Sequence, residues 1–318
     1  MSVMDKFVAL IMTAVTTFSG TYLDPNVRPA PEIPGTYIQQ QIDEATQQAQ
    51  GAGVTAGISV IDRAKNNLMK TNDEVAHREF KMESAGRLPI LLYAARIDPA
   101  VAKGEVQDIT SMMQGVSGEA TNRLWDKYGR TAIIADIATR YNLQETSSGN
   151  SWADTTTSSV DIGRMYRRFL DDDGVSTEAK KFVIDLLRDT SLTVVNEDFS
   201  FGLPSAVGIR QDTEDNKDLA WVQGWSASGS DPMIRTTTGV VGADMRYIVV
   251  ITGQASDPKM PDETANVILS NVAKTVLGEG GGSSGYFSKD DKEEDKERIE
   301  SFKDEQLETF GEDFLSTR

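Results

Sequence analysis

Ser84 stands three residues before Arg87 at the entrance to an apolar stretch, AGRLPILLYAARI, over residues 85–97. A serine hydroxyl becomes a useful nucleophile only when a neighbouring group takes its proton. Arg87 cannot do this, because a guanidinium stays protonated at any working pH and has no lone pair to offer. It could instead hold an anion. Two further clusters carry chemistry: Ser117-Gly118-Glu119, and Trp221-Val222-Gln223-Gly224-Trp225 ahead of the TTTGVVG and RYIVVITGQ segments. Glu119, and Glu145 in the loop before Trp152, are the carboxylates that could act as a base for Ser84, since burial can raise a glutamic acid toward neutral pH.

The chain has one histidine, His77, and no cysteine. That excludes thiolate catalysis, disulfides and Cys-type metal sites, and it rules out a multi-histidine metal centre. A Ser-His-Asp triad would have to use His77, which lies on a polar segment, VAHREFK, that reads as an exposed strand edge. No phosphate-binding glycine loop and no calcium loop is present, so neither a cofactor nor a metal is expected. The formal net charge of −17 argues against a nucleic-acid partner, whose binding needs clustered Lys and Arg.

The three clusters follow the order of one known framework. The segment around Ser84 and Arg87 resembles the Ser-x-x-Lys motif of serine β-lactamases and penicillin-binding proteins. Ser117-Gly118-Glu119 resembles their Ser-Asp-Asn, and Val222-Gln223-Gly224 their Lys-Thr/Ser-Gly strand. The last cluster is also similar to a secreted bacterial branch that reads Lys-Gln-Gly-Trp there. The resemblance covers roughly residues 37–277 and implies a β-lactamase/transpeptidase-like α/β fold: an antiparallel sheet built from both chain ends, helices on both faces, and a helical middle.

The resemblance implies roles for seven positions, and this chain departs from most of them. Ser84 would be the nucleophile, but Arg87 stands where the family has its lysine. Ser117 is retained, whereas Glu119 replaces the substrate-contacting asparagine. Val222 and Gln223 replace the lysine and hydroxyl residue that attract a substrate carboxylate; Gly224 is kept. Each lost proton-transfer partner typically lowers a rate by about 10²–10⁴. Ser84 therefore reads as a helix N-cap, a role serine favours, with Pro89 tolerated early in the helix. The reading is a catalytically inactive binding or scaffold module of the cell envelope, recognising another envelope protein or a peptidoglycan-related ligand. Its alternative is a hydrolase that uses Ser84 with a Glu base. Arg87, Glu119 and Trp225 are the candidate binding residues of the domain. Trp221 and Tyr247 read as core or groove lining.

The elements that must position these residues are legible from periodicity. Residues 37–50 repeat at helical spacing, Val54–Asp62 alternates as a strand, and Asn66-Asn67 is a hairpin turn signal. Helical patterns recur at 85–97, 119–128, 131–141, 158–171 and 176–188. Strands follow at 220–226, 233–242 and 246–253, with a closing helix at 263–277. This places one domain at 36–277.

Residues 1–35 lie outside it: a 12-residue apolar run, Phe7–Phe18, then a proline-rich tether. That run suits an export-signal core better than a spanning helix, a peripheral apolar helix being the alternative. It is the one segment through which membrane association is expected, and it makes the expected location extracytoplasmic.

At the other end, 278–288 is a Gly/Ser linker, and 289–318 carries 12 acidic and 6 basic side chains. Ile299, Phe302, Leu307, Phe310 and Phe314 fall within an arc of roughly 140° if that tail is helical. The tail reads as disordered alone, or as a helix that docks on a partner through this stripe.

Overall fold

The computed structural model describes residues 34–97, 105–114, 117–188, 201–206, 219–226, 230, 232–242 and 244–278. The leader at 1–33 and the tail, with Ile299, Phe302, Phe310 and Phe314, lie outside the described residues. In chain order come α1 (Gly35–Gly51), β1 (Val54–Asp62), β2 (Asn67–Lys70), α2 (Asp73–Ala76), β3 (Phe80–Lys81) and a 3-10 turn, Glu83–Gly86. Then come α3 (Arg87–Ile97), α4 (Val106–Met113), α5 (Gly118–Lys127), α6 (Thr131–Tyr141), β4 (Thr156–Thr157) and α7 (Ser159–Asp171). The last are α8 (Thr177–Arg188), α9 (Leu203–Ala206), β5 (Leu219–Trp225), β6 (Ile234–Val241), β7 (Tyr247–Ala255) and α10 (Asp262–Leu277).

Five strands pair antiparallel in the order β2-β1-β7-β6-β5, so the first strands of the chain lie beside the last. The turn into β2 works because Asn66 tolerates a left-handed φ of 54°, as asparagine does more readily than most residues. Alternation along each strand sends side chains to two cores. Ile58, Val60, Val249 and Ile251 pack with Ile38, Ile42, Leu269 and Val272 of α1 and α10. Ile61, Ile248, Val250, Ala220 and Val222 pack on α3, α7, α8 and the helical middle. The central strands are thus buried on both faces, the reason they read as near-continuous apolar runs. Among the described residues no helix is long and apolar enough to cross a membrane.

The expected α/β architecture is the observed one. Most boundaries shift by one or two residues, but the predicted helix at 85–97 starts at Arg87, and a 3-10 turn takes its entrance. The short helices α2, α4 and α9 and the two-residue strands β3 and β4, which pair with each other, carry no sequence signal that stood out.

Candidate functional site

Ser84 sits within the 3-10 turn, half-buried. The turn is held from outside itself: the Met82 amide donates to the Thr155 carbonyl at 2.8 Å and the Glu83 amide to the Ala153 carbonyl at 3.0 Å. Glu83 adopts a left-handed φ of 49°, an uncommon conformation for a residue with a long side chain and a form of strain that surrounding contacts must support. Burial pushes the Glu83 carboxyl above its ordinary range, Lys81 opposing the shift and Asp154 adding to it. The N-cap role expected of Ser84 is not taken, because the α-helix begins only at Arg87. Pro89 is the helix's third residue, so its missing N–H is one that no helical turn would have bonded.

Arg87 is only 4% exposed. Its Nε donates to the Ser84 carbonyl at 2.6 Å, Nη1 to Met112 at 3.0 Å and Nη2 to Gln223 at 3.4 Å. One guanidinium therefore joins the Ser84 turn, the end of α4 and the middle of β5. Burial lowers its pKa to about 10. It remains a cation at neutral pH. Its expected role as an anion holder meets a different arrangement: these nitrogens serve main-chain carbonyls and are shielded from solvent.

Ser117 caps α5, its hydroxyl accepting from the Ala120 amide at 3.2 Å. The Glu119 side chain is 87% exposed and bonds Arg123 at 2.8 Å, while Arg123 also reaches Asp108 at 2.7 Å. Glu119 thus belongs to an ion cluster joining α4 and α5. The residue of this helix that does reach the Ser84 region went unrecognised in the sequence: Asn122 accepts from the Trp152 indole at 2.9 Å, and the Trp152 carbonyl lies against Gly86.

On β5, Val222 and Gly224 point to the same core as the Ser84 turn, and Gln223 points to the opposite face. A Cβ at Gly224 would lie 2.7–2.8 Å from Ala85 Cβ, Ala85 N and Met82 O, so the strand and the turn are in backbone contact there. Val222 is buried in the apolar cluster with Met82 and Ala85. The Gln223 carboxamide donates to the Phe201 carbonyl, away from Ser84. Trp221 and Trp225 pack on the α1/α10 side, as does Tyr247. Trp225 is therefore on the face of the sheet opposite Ser84.

Opposite Val222 and Gly224, Thr238 and Thr236 of β6 carry buried hydroxyls, and the buried Tyr166 hydroxyl of α7 lies beside that of Thr238 without a well-formed hydrogen bond among the described residues. Burial raises the Tyr166 pKa, and the Thr238 hydroxyl offsets only part of the shift. Tyr166→Phe is accordingly expected to stabilise the protein by about 1 kcal/mol in chemical denaturation at pH 7, since a buried hydroxyl left poorly satisfied costs about 1–3 kcal/mol. The unfolded phenol ionises near pH 10 while the folded one holds its proton, so folded protein binds more protons and stability falls above that pH. The advantage of the Phe variant should widen between about pH 10 and 11, and a variant less stable than its parent contradicts the geometry.

Glu145, expected in the loop before Trp152, and His77, expected on an exposed strand edge, meet. His77 instead caps the C-terminus of α2. Its Nδ1 lies 3.0 Å from Glu145 Oε1, and the Ser158 hydroxyl donates to Glu145 Oε2 at 3.2 Å. Glutamate is the middle member of this chain, so the order is not that of a Ser-His-Asp relay. Asp161, fully buried, accepts from the Glu145 amide at 2.7 Å and the Thr146 hydroxyl at 3.0 Å. Together these bonds anchor the loop whose carbonyls hold the Ser84 turn. Both candidate bases, Glu119 and Glu145, therefore have partners other than Ser84. No group of three acidic or histidine side chains could hold a metal among the described residues.

A family model described as "Beta-lactamase enzyme family" matches residues 102–279. The chain belongs to that family. The curated relatives it matches include a protein of Mycobacterium tuberculosis named "Putative lipoprotein LppW", 26% identical over 285 residues, which span 86% of this chain and 83% of that protein. Solved β-lactamase-family structures share the fold. PBP-A superposes with a TM-score of 0.57 at 18% identity, covering 78% of this chain and 97% of its own. A class A β-lactamase from Mycobacterium abscessus gives 0.57 at 10% identity, covering 74% and 98%. Strands β1 and β2 precede the segment matched by the family model, yet they complete the sheet, so the β-lactamase fold here extends to the N-terminal side of that segment.

Proposed function

We propose that this chain is a non-catalytic member of the β-lactamase family that works at the cell envelope as a binding or scaffold module, for an envelope protein or a peptidoglycan-related ligand. The observation that carries the reading is the surroundings of Ser84. Arg87, three residues on, holds the Ser84 main-chain carbonyl and has no lone pair for the hydroxyl proton, and Lys81, three residues before, is paired with Asp154 at 2.9 Å. Ser117 is engaged as a cap, and an apolar side chain fills the strand position where the family has a lysine. An extracytoplasmic location is supported by the relative named as a lipoprotein and by the apolar run at Phe7–Phe18.

Incubating the full chain with a fluorogenic β-lactam, followed by intact-mass spectrometry, tests the reading. The expected result is unchanged mass and a turnover indistinguishable from the Ser84→Ala variant. A stoichiometric adduct that disappears in Ser84→Ala would overturn it.

A further inference from the structure

Both outer edges of the five-stranded sheet carry a side chain from a neighbouring element. On β2, the Thr71 amide bonds inward to the Ile58 carbonyl at 3.0 Å, so the main-chain groups of Lys70, one residue away, face outward. Gln39 of α1 takes both of them: Nε2 donates to the Lys70 carbonyl at 2.9 Å and Oε1 accepts from the Lys70 amide at 3.2 Å. Its carboxamide stands where the peptide group of a sixth strand would stand. On β5, the Ser226 amide bonds the Ile234 carbonyl at 3.0 Å, which places Gly224 and Val222 among the inward-bonded residues and turns the Gln223 carbonyl outward. That carbonyl accepts from Arg87.

Such outward groups are where an extended chain adds to a sheet, whether a peptide or a second copy. We propose that Arg87 is an edge guard: a resident side-chain ligand that closes β5 at Gln223 and fastens it to the Ser84 turn and to the end of α4, so that no extended chain pairs with β5 there until the guanidinium lets go. Three features support this. The guanidinium binds three separate segments, which a point-like ammonium cannot span. It is buried, and among the described residues its hydrogen-bond acceptors are those three carbonyls, which set its position. And Gly224, beside Gln223, brings β5 into backbone contact with the turn that the same guanidinium holds. The proposal concerns access, not proton transfer, and a covalent adduct on Ser84 would leave it standing.

Amide hydrogen exchange on the full chain tests it. Arg87→Lys should speed exchange at least tenfold in segments 84–86 and 222–225 and leave β7 unchanged. Gln39→Ala should act on the Lys70 segment alone. A folded Arg87→Lys protein with parental exchange at 222–225 overturns the proposal. Should that variant fail to fold, the unaltered protein decides by nitrogen-edited NMR at pH 8. An Arg87 Nε–H signal protected at least a hundredfold over free arginine supports the guard, and one exchanging at the free rate refutes it.

Discussion

Gly224→Ala is expected to lower the midpoint of thermal unfolding by about 10 °C, corresponding to about 3 kcal/mol for a domain of this size. The added methyl would sit 2.8 Å from the Ala85 amide nitrogen and from the Met82 carbonyl oxygen, and 2.7 Å from the Ala85 Cβ. Two of those atoms are backbone, so no rotamer change relieves the clash. Either β5 moves away from the Ser84 turn or the turn moves, and both motions stretch the bonds from Arg87 to Ser84 and Gln223. Gly86→Ala should cost as much or more, because its methyl would fall 2.3 Å from the Trp152 carbonyl oxygen. Gly118→Ala is the control: nothing lies within 4 Å of the added atom, and its stability should stay within about 0.5 kcal/mol of the parent. Differential scanning calorimetry on the three variants checks the series, and a Gly224→Ala protein melting within 2 °C of the parent would refute the close approach.

Asp161→Ala should lose about 2–3 kcal/mol in urea denaturation, chiefly because a main-chain donor is left without its acceptor. Asp161 is fully buried and takes the Glu145 amide, the Thr146 hydroxyl and the Arg164 guanidinium. Arg164 is partly exposed and can turn to water, and the Thr146 hydroxyl can donate instead to the Thr157 hydroxyl 2.9 Å away, whereas the Glu145 amide loses its acceptor. The loop that follows carries the Ala153 and Thr155 carbonyls that hold Glu83 and Met82. The substitution should therefore also make residues 144–155 more susceptible to protease in the native state, while Asp161→Asn, which keeps one acceptor oxygen, should cost about half as much. A loss in Asp161→Ala below about 1 kcal/mol would mean that the loop is held by its other contacts.

Both results bear on function through the same point. The Ser84 turn has few contacts of its own; it is a 3-10 turn with a strained residue at its start, kept in place by β5 on one side and by the loop at 144–155 on the other. Here the turn surrounds a serine that Arg87 cannot relieve of its proton, which supports the proposed reading of the region as shape and not as chemistry.

The sequence by itself determined the elements with strong local periodicity: α1, β1, the β1–β2 turn, α5 to α8, the last three strands and α10. Each repeats apolar residues at the spacing its own backbone imposes, so no distant residue is needed to recognise it. It also determined what Arg87 cannot do, because an arginine's lack of a lone pair is a property of the side chain alone. Where Arg87 goes was decided by tertiary structure. Its three carbonyls come from residues 84, 112 and 223, and nothing in the spacing announces that these converge. The same holds for His77 with Glu145, which are 68 residues apart, and for Asn122 with Trp152. The left-handed Glu83 and the placement of Ser84 inside a 3-10 turn, not at a helix cap, were likewise invisible, since strain of that kind exists only when packing from several segments outweighs local preference. Periodicity reports which face of an element is buried; which polar atoms then find one another depends on how the elements come together in space.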